Sequence, residues 1–439
     1  MAAEPAQSVV VFGPTQSRKT TGFAIPAILG WKGPVVATSV KTDLVRHTIG
    51  WRQQAGEVQC FDPSRSTDLA SALWSPLDEA HTWSGARKVA ASLTEGAKGG
   101  NGPITDGDFW YATAAKLLAP LLLAAATGDG DMSDVVRWVD TQEESEVLDL
   151  LYAVGVREAI QAAQASFAKE DRQRSSVYTT AETVLEPFAD PPVELAGREP
   201  SHIDPRLLLG ECGTLYLCAP AHDQRRLRPL FTAVVRQIVE QAYETVTRTG
   251  RPLDPPLLIV LDEAANIAPL DDLDTLASTA AGHGIQLVTI WQDLAQVTAR
   301  YGPRAATVVN NHRAKVFLSG ISDPSTLDHA SHLIGDEELH LPATTSGGQG
   351  GPTTTRSPAT RRLAPPDALR RIAPGQGVLV YGGLPPARIA LRSWFEDPRL
   401  AQRGDTRVGT ASPDYPEVTG PVAGELLSRH RRYGRFYRQ

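Results

Sequence analysis

Residues 13–22 read "GPTQSRKTTG", with a lysine and a hydroxyl side by side after a glycine. A phosphate-binding loop needs such a set. Successive backbone N–H groups curl around an anion at a helix N-terminus, the lysine reaches the β- and γ-phosphates, and the hydroxyl binds magnesium. The candidate cradle is Gly13, Pro14, Thr15, Gln16, Ser17, Arg18, Lys19, Thr20 and Thr21, with Arg18 where glycine is usual. Alone, the stretch reads equally as a Gly-Pro turn capping an ordinary helix. A second stretch, "LLIVLDE" (257–263), is an apolar run ending in two acids. Unpaired charge at a buried strand end is costly, so adjacent carboxylates there suggest a cation. Asp262 can hold magnesium through water, and Glu263 can orient or deprotonate an attacking water. Without the loop, the pair is also what a solvated strand end looks like. Gln292, closing "LVTIWQ", is either a sensor beside the terminal phosphate or a polar residue leaving a strand. Together the loop and the acids point to a nucleotide site.

The surrounding pattern supplies elements to carry these residues. "SVVVFG" (8–13) reads as a buried strand and "TTGFAIPAILGW" as a helix; "GPVVATS" and "VQCFDP" (58–63) read as further strands. Strand, glycine loop, helix, strand is the pattern of an α/β parallel sheet. From Glu79 to Arg198 the valine-rich runs vanish and Ala, Leu, Glu and Gln dominate, which predicts an all-α insertion. Thr141 with Glu144 resembles a capping box, so a helix is expected to start there. "DFWYATAAKLLAPLLLAAA" and "REAIQAAQASFAKEDRQRSSVYTTAETVLEPF" each read as a helix with an apolar face. Strands return in "GTLYLCAP", "PLLIVLDE", "GIQLVTIWQ", "RAKVFLSG" and "GQGVLVYG". Residues 344–360 are rich in Gly, Ser, Thr and Pro and are expected as a mobile surface loop. The expected division is 1–78 and 199–403 as a nucleotide-binding domain, 79–198 as the insertion, and 404–439 as a tail.

Composition limits the alternatives. With 439 residues, 41% hydrophobic and 21% charged, the chain can bury a core. A net charge of -7 gives no global field for nucleic acid, so any such contact is local. Cys60, Cys212 and Cys218 are scattered and odd in number, which argues against a disulfide framework and for a reducing compartment. The N-terminus has neither a basic nor an apolar region of a secretory signal. "LLAPLLLAAAT" is short for a membrane span and contains Pro120, so a buried helix is expected.

The motifs jointly resemble the TraG/TraD-type coupling ATPases of conjugative type IV secretion, relatives of RecA-like and FtsK-like motors. The matching stretches include "VVFGPTQSRKTTGFAIPAIL", "GPVVATSVKTDL", "FWYATAAKLLAPLLLAA", "GTLYLCAP", "VLDEAANIAPL" and "GIQLVTIWQDLAQVTARYG", running from about Val9 to Pro398. "DEAANIAPL" and "GIQLVTIWQDLAQ" are the most specific. The resemblance implies a RecA-like P-loop NTPase domain with a mainly parallel sheet, interrupted by an all-α domain. It implies ATP and Mg2+ as cofactors and a homo-hexameric ring that passes relaxase-bound single-stranded DNA to a type IV secretion channel at the cytoplasmic face of the membrane. Carried over by position, Lys19, Glu263 and Gln292 are the catalytic set, and Thr20 and Asp262 hold magnesium. Lys41 and Asp43 match a Lys-x-acid motif after the second strand. Alternatives within the resemblance are a nucleotide-binding docking module with little hydrolysis and a DNA translocase outside secretion.

The sequence departs from the family pattern in three places. Arg18 adds a Cβ where the chain passes close to phosphate. Ala281-Gly282-His283 stands where many relatives carry an arginine, the candidate finger into a neighbouring site; Arg300, Arg304 and Arg313 are possible substitutes. Relatives begin with membrane-spanning helices, whereas this chain starts shortly before Gly13, so a membrane-anchoring partner, a truncation or a diverged soluble form is expected. The tail segment "RHRRYGRFYR" (429–438) interleaves arginines with Tyr433, Phe436 and Tyr437. It suits single-stranded DNA, an anionic lipid surface or a partner, or serves only as a solubilising tail.

Overall fold

A computed structural model of the chain describes residues 7–40, 42–98, 106–190, 193, 202–345 and 353–406. Its centre is a nine-stranded sheet. The strands are β1 (Val9–Phe12), β2 (Val35–Ser39), β3 (Val58–Phe61), β4 (Thr214–Cys218), β5 (Leu257–Leu261), β6 (Ile285–Trp291) and β7 (Ala314–Leu318). A separate pair, β8 (Asp336–Thr345) and β9 (Thr353–Arg362), precedes β10 (Gln376–Tyr381) and β11 (Ala387–Ala390). The large sheet runs β11-β10-β7-β1-β6-β5-β2-β4-β3, and only β10 and β11 are antiparallel to their neighbours. Among the described residues this is the mainly parallel sheet that the sequence predicts.

The strands are apolar on both faces because both faces are covered. Val9 and Val11 point into one hydrophobic cluster with Ile25, Ile28 and Trp394. Val10 and Phe12 point into the other, with Leu93, Leu117 and Phe231. On the first face lies α1 (Thr20–Gly30), the helix that follows the candidate loop. Its first turn, Thr20–Ala24, is π-helical, and Pro26 sits in the first turn of the α-helical part, Ile25–Gly30.

The second face carries the helices between β3 and β4. These are α2 (Trp83–Ala97), α3 (Asp106–Thr127), α4 (Met132–Thr141), α5 (Ser145–Val154), α6 (Arg157–Phe167) and α7 (Asp171–Leu185). All the regular structure described between β3 and β4 is helical. Helix α3 is the hub and touches α2, α4, α5, α6 and α7. A helix apolar on all sides is stable only when surrounded, and Leu117, Leu118 and Leu121–Ala125 are buried here. Its Gly107–Thr127 stretch is the one described helix long and apolar enough to cross a membrane. Helix α2 packs on α8 (Gln224–Thr249), so the insertion shares a hydrophobic cluster with the sheet.

Three local expectations are corrected. Thr141 ends α4 instead of starting a helix; its hydroxyl donates to the Arg137 carbonyl. The capping box belongs to Asp131 and Asp134. The single helix expected over "REAIQAAQASFAKEDRQRSSVYTTAETVLEPF" is broken between α6 and α7, where Glu170 leaves the helical backbone. The segment expected as a loop over 344–360 instead ends β8 at Thr345 and contributes Thr353–Thr360 to β9. Its repeated threonines favour extended backbone, which outweighs the turn-forming glycines beside them. Residues 346–352 lie outside the described residues. So does the tail beyond Thr406, which carries the arginines and aromatics of 429–438.

Candidate nucleotide site

Strand register brings the candidate residues to one edge of the sheet. β6 lies between β1 and β5, with Phe12 opposite Trp291 and Leu261 opposite Thr289. Gly13, Asp262, Glu263 and Gln292 therefore all leave the sheet at the C-terminal ends of parallel strands. Ligands bind at that edge of open α/β sheets. The Gly13 amide donates to the Trp291 carbonyl at 3.1 Å, and the Ala264 amide donates to the Ile290 carbonyl at 3.2 Å.

The loop is tight and short of acceptors. A Cβ on Gly13 would lie 2.5 Å from Ser17 Oγ and 3.0 Å from Leu318 Cδ1, so a larger residue there would displace both side chains. Ser17 Oγ is buried without a hydrogen-bond partner. The backbone amides of Thr15, Gln16 and Arg18 likewise meet no acceptor among the described residues. Gln16 and Arg18 have φ of 67° and 66°, the left-handed backbone that makes successive N–H groups converge. Lys19 is 8% exposed, and its Nζ donates to the carbonyls of Gly13 at 2.6 Å and Pro14 at 3.3 Å. It forms no ion pair among the described residues. Burial pulls its pKa down, against the fields of Glu263, Asp262 and Asp293.

The acid side meets the loop directly. Thr20 Oγ1 donates to Asp262 Oδ2 at 3.0 Å, and Thr38 Oγ1 donates to the Asp262 carbonyl at 2.9 Å. Asp262 is 7% exposed, and burial pushes its carboxyl up to about 6 against the Thr20 hydrogen bond. A carboxylate so placed is stabilised by a bound cation. Glu263 follows in left-handed backbone at φ 56°. Asn266 Nδ2 reaches Glu263 Oε2 at 3.5 Å, and the Asn266 amide donates to the Glu263 carbonyl at 2.8 Å. Half-buried Gln292 has its amide fixed by Gln296 Oε1 at 3.0 Å. Unpartnered donors, a desolvated lysine and a hydroxyl–carboxylate pair thus share one edge, a set that suits a nucleotide polyphosphate with magnesium.

Arg18 turns from the loop towards the C-terminal segment. Its guanidinium pairs with Glu396 at 3.0 Å and lies against Gly375, where a Cβ would meet Nη1 at 3.2 Å. Of the substitute arginines, Arg300 is 3% exposed and holds Asp271 and the carbonyls of Pro269 and Lys98. Arg304 pairs with Asp274, and exposed Arg313 covers the Tyr381 ring at 5.4 Å. Asp43 is exposed in a short helix, Asp43–Arg46, and Lys41 lies outside the described residues. Sequence reasoning misses Thr38, Asn266 and Glu396. Asn266 was visible as a polar residue one turn after Glu263; Thr38 and Glu396 depend on tertiary contact and left no signal.

A family model, Type IV secretory system Conjugative DNA transfer, matches residues 2–415. The Conjugal transfer protein TraG of Escherichia coli is 26% identical over 90% of this chain and 68% of its own length. Protein VirD4 of Rhizobium radiobacter is 23% identical over 96% of this chain and 62% of its own length. The chain therefore spans roughly two thirds of such relatives. Among solved structures, the bacterial conjugative coupling protein TrwBdeltaN70 superposes with a TM-score of 0.67 at 17% identity, covering 89% of each chain. The plasmid coupling protein TrwB in complex with ADP and Mg2+ gives a TM-score of 0.65 at 18% identity, covering 88% of this chain and 85% of that one. These likenesses show the fold.

Proposed function

The chain belongs to the type IV secretory system conjugative DNA transfer family, and from that premise we propose that it is an ATP-driven coupling protein. It delivers relaxase-bound single-stranded DNA, or a protein substrate, to a secretion channel at the cytoplasmic face of the membrane, as a homo-hexamer and with a membrane-anchoring partner. The observation that carries this reading is the meeting of Thr20 with Asp262 at 3.0 Å beside the buried Lys19. Loop and acid, 242 residues apart in sequence, form one site.

In this reading the amides of residues 13–21 and Lys19 bind the phosphates of ATP. Thr20 and Asp262 hold Mg2+, which supplies charge neutralisation on the phosphates. Glu263 orients and deprotonates the attacking water, and Gln292 positions that water or registers the terminal phosphate. Solved structures of the plasmid coupling protein TrwB in complex with an ATP analogue and with ADP and Mg2+ support this choice of cofactor. In this reading residues 79–198 form the all-α insertion of the nucleotide-binding domain, because α2 to α7 stand where a simple β3–β4 connection would suffice.

A second reading, a docking module with little hydrolysis, is favoured by Arg18 and by Ala281-Gly282-His283 in place of an arginine. The left-handed backbone of Arg18 and its Glu396 pair tie the loop to another segment. Steady-state ATPase with and without single-stranded DNA separates the readings. The motor predicts turnover that rises with DNA. A chain that binds ATP but turns over at background, with or without DNA, overturns it.

A further inference from the structure

The phosphate loop has two flanks. Strand β1, which leads into it, lies between β6 and β7, and β5 lies beyond β6. Asp262, Glu263 and Gln292 stand on the β5–β6 flank, so magnesium and a terminal phosphate belong there. A polyphosphate that points its terminal phosphate at those acids carries its sugar and base out on the opposite flank. That flank is built by β7 and the antiparallel pair β10–β11. The start of β10 and the end of β11 share the loop's edge of the sheet, since the Ser319 amide donates to the Gln376 carbonyl at 3.0 Å and Gln376 is paired with Ala390.

The segment after β11 closes this flank. The Leu391 amide donates to the Gly375 carbonyl at 2.7 Å. A Cβ on Gly22, in the first turn of α1, would lie 3.2 Å from Leu391 Cβ and 3.8 Å from the Arg392 carbonyl oxygen. The segment therefore rests on the turn that follows Lys19 and Thr20. It is firmly held. Leu391 and Trp394 are buried in the cluster of Ile25 and Ile28, and Ser393 and Glu396 close a capping box around the turn Trp394–Glu396. Within that turn Trp394 goes inward and Glu396 meets Arg18 of the loop. Phe395, between them, is 58% exposed, with its ring edge-on to Trp394 at 5.6 Å.

Two other aromatic rings are more than half exposed among the described residues, Phe109 on α3 and Tyr152 on α5. Both belong to the insertion, whereas Phe395 stands on a segment that touches the loop itself. The carboxylate beside it is already committed: Glu396 Oε1 accepts from Arg18 Nη1 at 3.0 Å and Oε2 from the Ser393 amide at 3.1 Å. What the flank offers a base is thus a ring face. Aromatic rings stack on bases without reading their edges.

We propose that Phe395 is the base-binding residue of the nucleotide site, stacking on the purine of the bound nucleotide, and that Leu391–Glu396 is the wall that holds it there. This deepens the reading of the loop as a nucleotide site and rests on it. Because the capping box and the buried Trp394 fix the turn, the ring keeps its place without the Arg18 pair.

The test measures binding of ADP, GDP and inorganic pyrophosphate, each with magnesium, to the full chain by titration calorimetry. Diphosphates carry the base and sugar without being turned over. Phe395→Ala is expected to weaken ADP and GDP alike by roughly tenfold and to leave pyrophosphate unchanged. Phe395→Trp should restore both nucleotides. The exposed ring is removed at little cost to the fold, so the melting temperature without ligand should match wild type. Wild-type affinity for ADP in Phe395→Ala overturns the inference. Equal weakening of ADP and pyrophosphate overturns it too, since the ring would then shape the phosphate loop and not meet the base. A loss confined to one purine overturns the stacking claim. Wild-type protein that binds none of the three probes sinks the nucleotide site itself, and the inference with it.

Discussion

The two halves of the site solve the same backbone problem by different means. Both place a large residue in left-handed backbone, Arg18 at φ 66° in the loop and Glu263 at φ 56° after β5. Such a conformation costs a residue with a Cβ on the order of 1 kcal/mol or more. At Glu263 the compensation is local, through Asn266 three residues on. At Arg18 it comes from Glu396, 378 residues away. The acid turn is thus specified by its own short sequence, while the loop borrows its geometry from the C-terminal segment. Changes on the acid side should damage chemistry, and changes at Arg18 should mostly alter stability.

The largest expected effects fall on Glu263 and Lys19. Glu263→Gln and Lys19→Ala should each lower ATP turnover by at least about two orders of magnitude. They separate in binding. Glu263→Gln should retain affinity for ATP, because the lost carboxylate acts on water, whereas Lys19→Ala should lose it. Equal turnover in wild type and both variants would remove the ATPase from the proposal.

Asp262 comes next, through stability and pH. Its folded carboxyl is raised from 3.8 to about 6 by burial. Between those values the folded state binds more protons than the unfolded chain, so stability falls as pH rises. The contribution is complete below about pH 4 and lost above about pH 6, up to about 3 kcal/mol. Asp262→Asn should therefore melt higher than wild type at pH 7.5 without magnesium, and the difference should shrink towards pH 4. Magnesium with nucleotide should stabilise wild type and not the variant. Melting curves that differ equally at pH 4 and pH 7.5 would show that the buried charge is not the cause.

These contrasts also define what the sequence could show. The strands were legible because each is a short apolar run buried on both faces, from "VVVF" to "IQLVTIW". The loop and the acids were legible because their chemistry is contiguous. The β8–β9 hairpin was hidden by glycines and serines that signal a loop, although its register pairs Asp336 with Arg362 and Glu337 with Arg361. The break between α6 and α7 was hidden in a continuous helix-forming composition. Arg18 was legible as a departure but not in its consequence, because no local pattern announces Glu396 or the Gly375 backbone beneath the guanidinium.

Arg18 itself offers a smaller effect and a sharper comparison. Glycine takes φ 66° without a Cβ penalty, so Arg18→Gly removes the strain together with the ion pair. Arg18→Ala removes the pair and keeps the strain. The two variants should differ in unfolding free energy by about 1 kcal/mol, with glycine the more stable. Turnover in Arg18→Gly should equal or exceed that of wild type. A large loss there would mean that the arginine contacts nucleotide directly.

The smallest effect belongs to Glu396. Its side chain is 39% exposed and its partner Arg18 is 38% exposed, so water screens most of the attraction. Its other oxygen accepts from the Ser393 amide at 3.1 Å, closing the capping box of the turn at Trp394–Glu396. Glutamine keeps a carbonyl oxygen for that amide and removes only the charge. Glu396→Gln should therefore cost under about 1 kcal/mol in chemical denaturation, with the difference fading as salt is raised. Combined with Arg18→Ala, it should cost no more than Arg18→Ala alone, since the pair is already broken. Additive losses in the double variant would mean that Glu396 supports the segment independently of Arg18. The loop would then owe its left-handed turn to the packing of the guanidinium on Gly375 and not to charge.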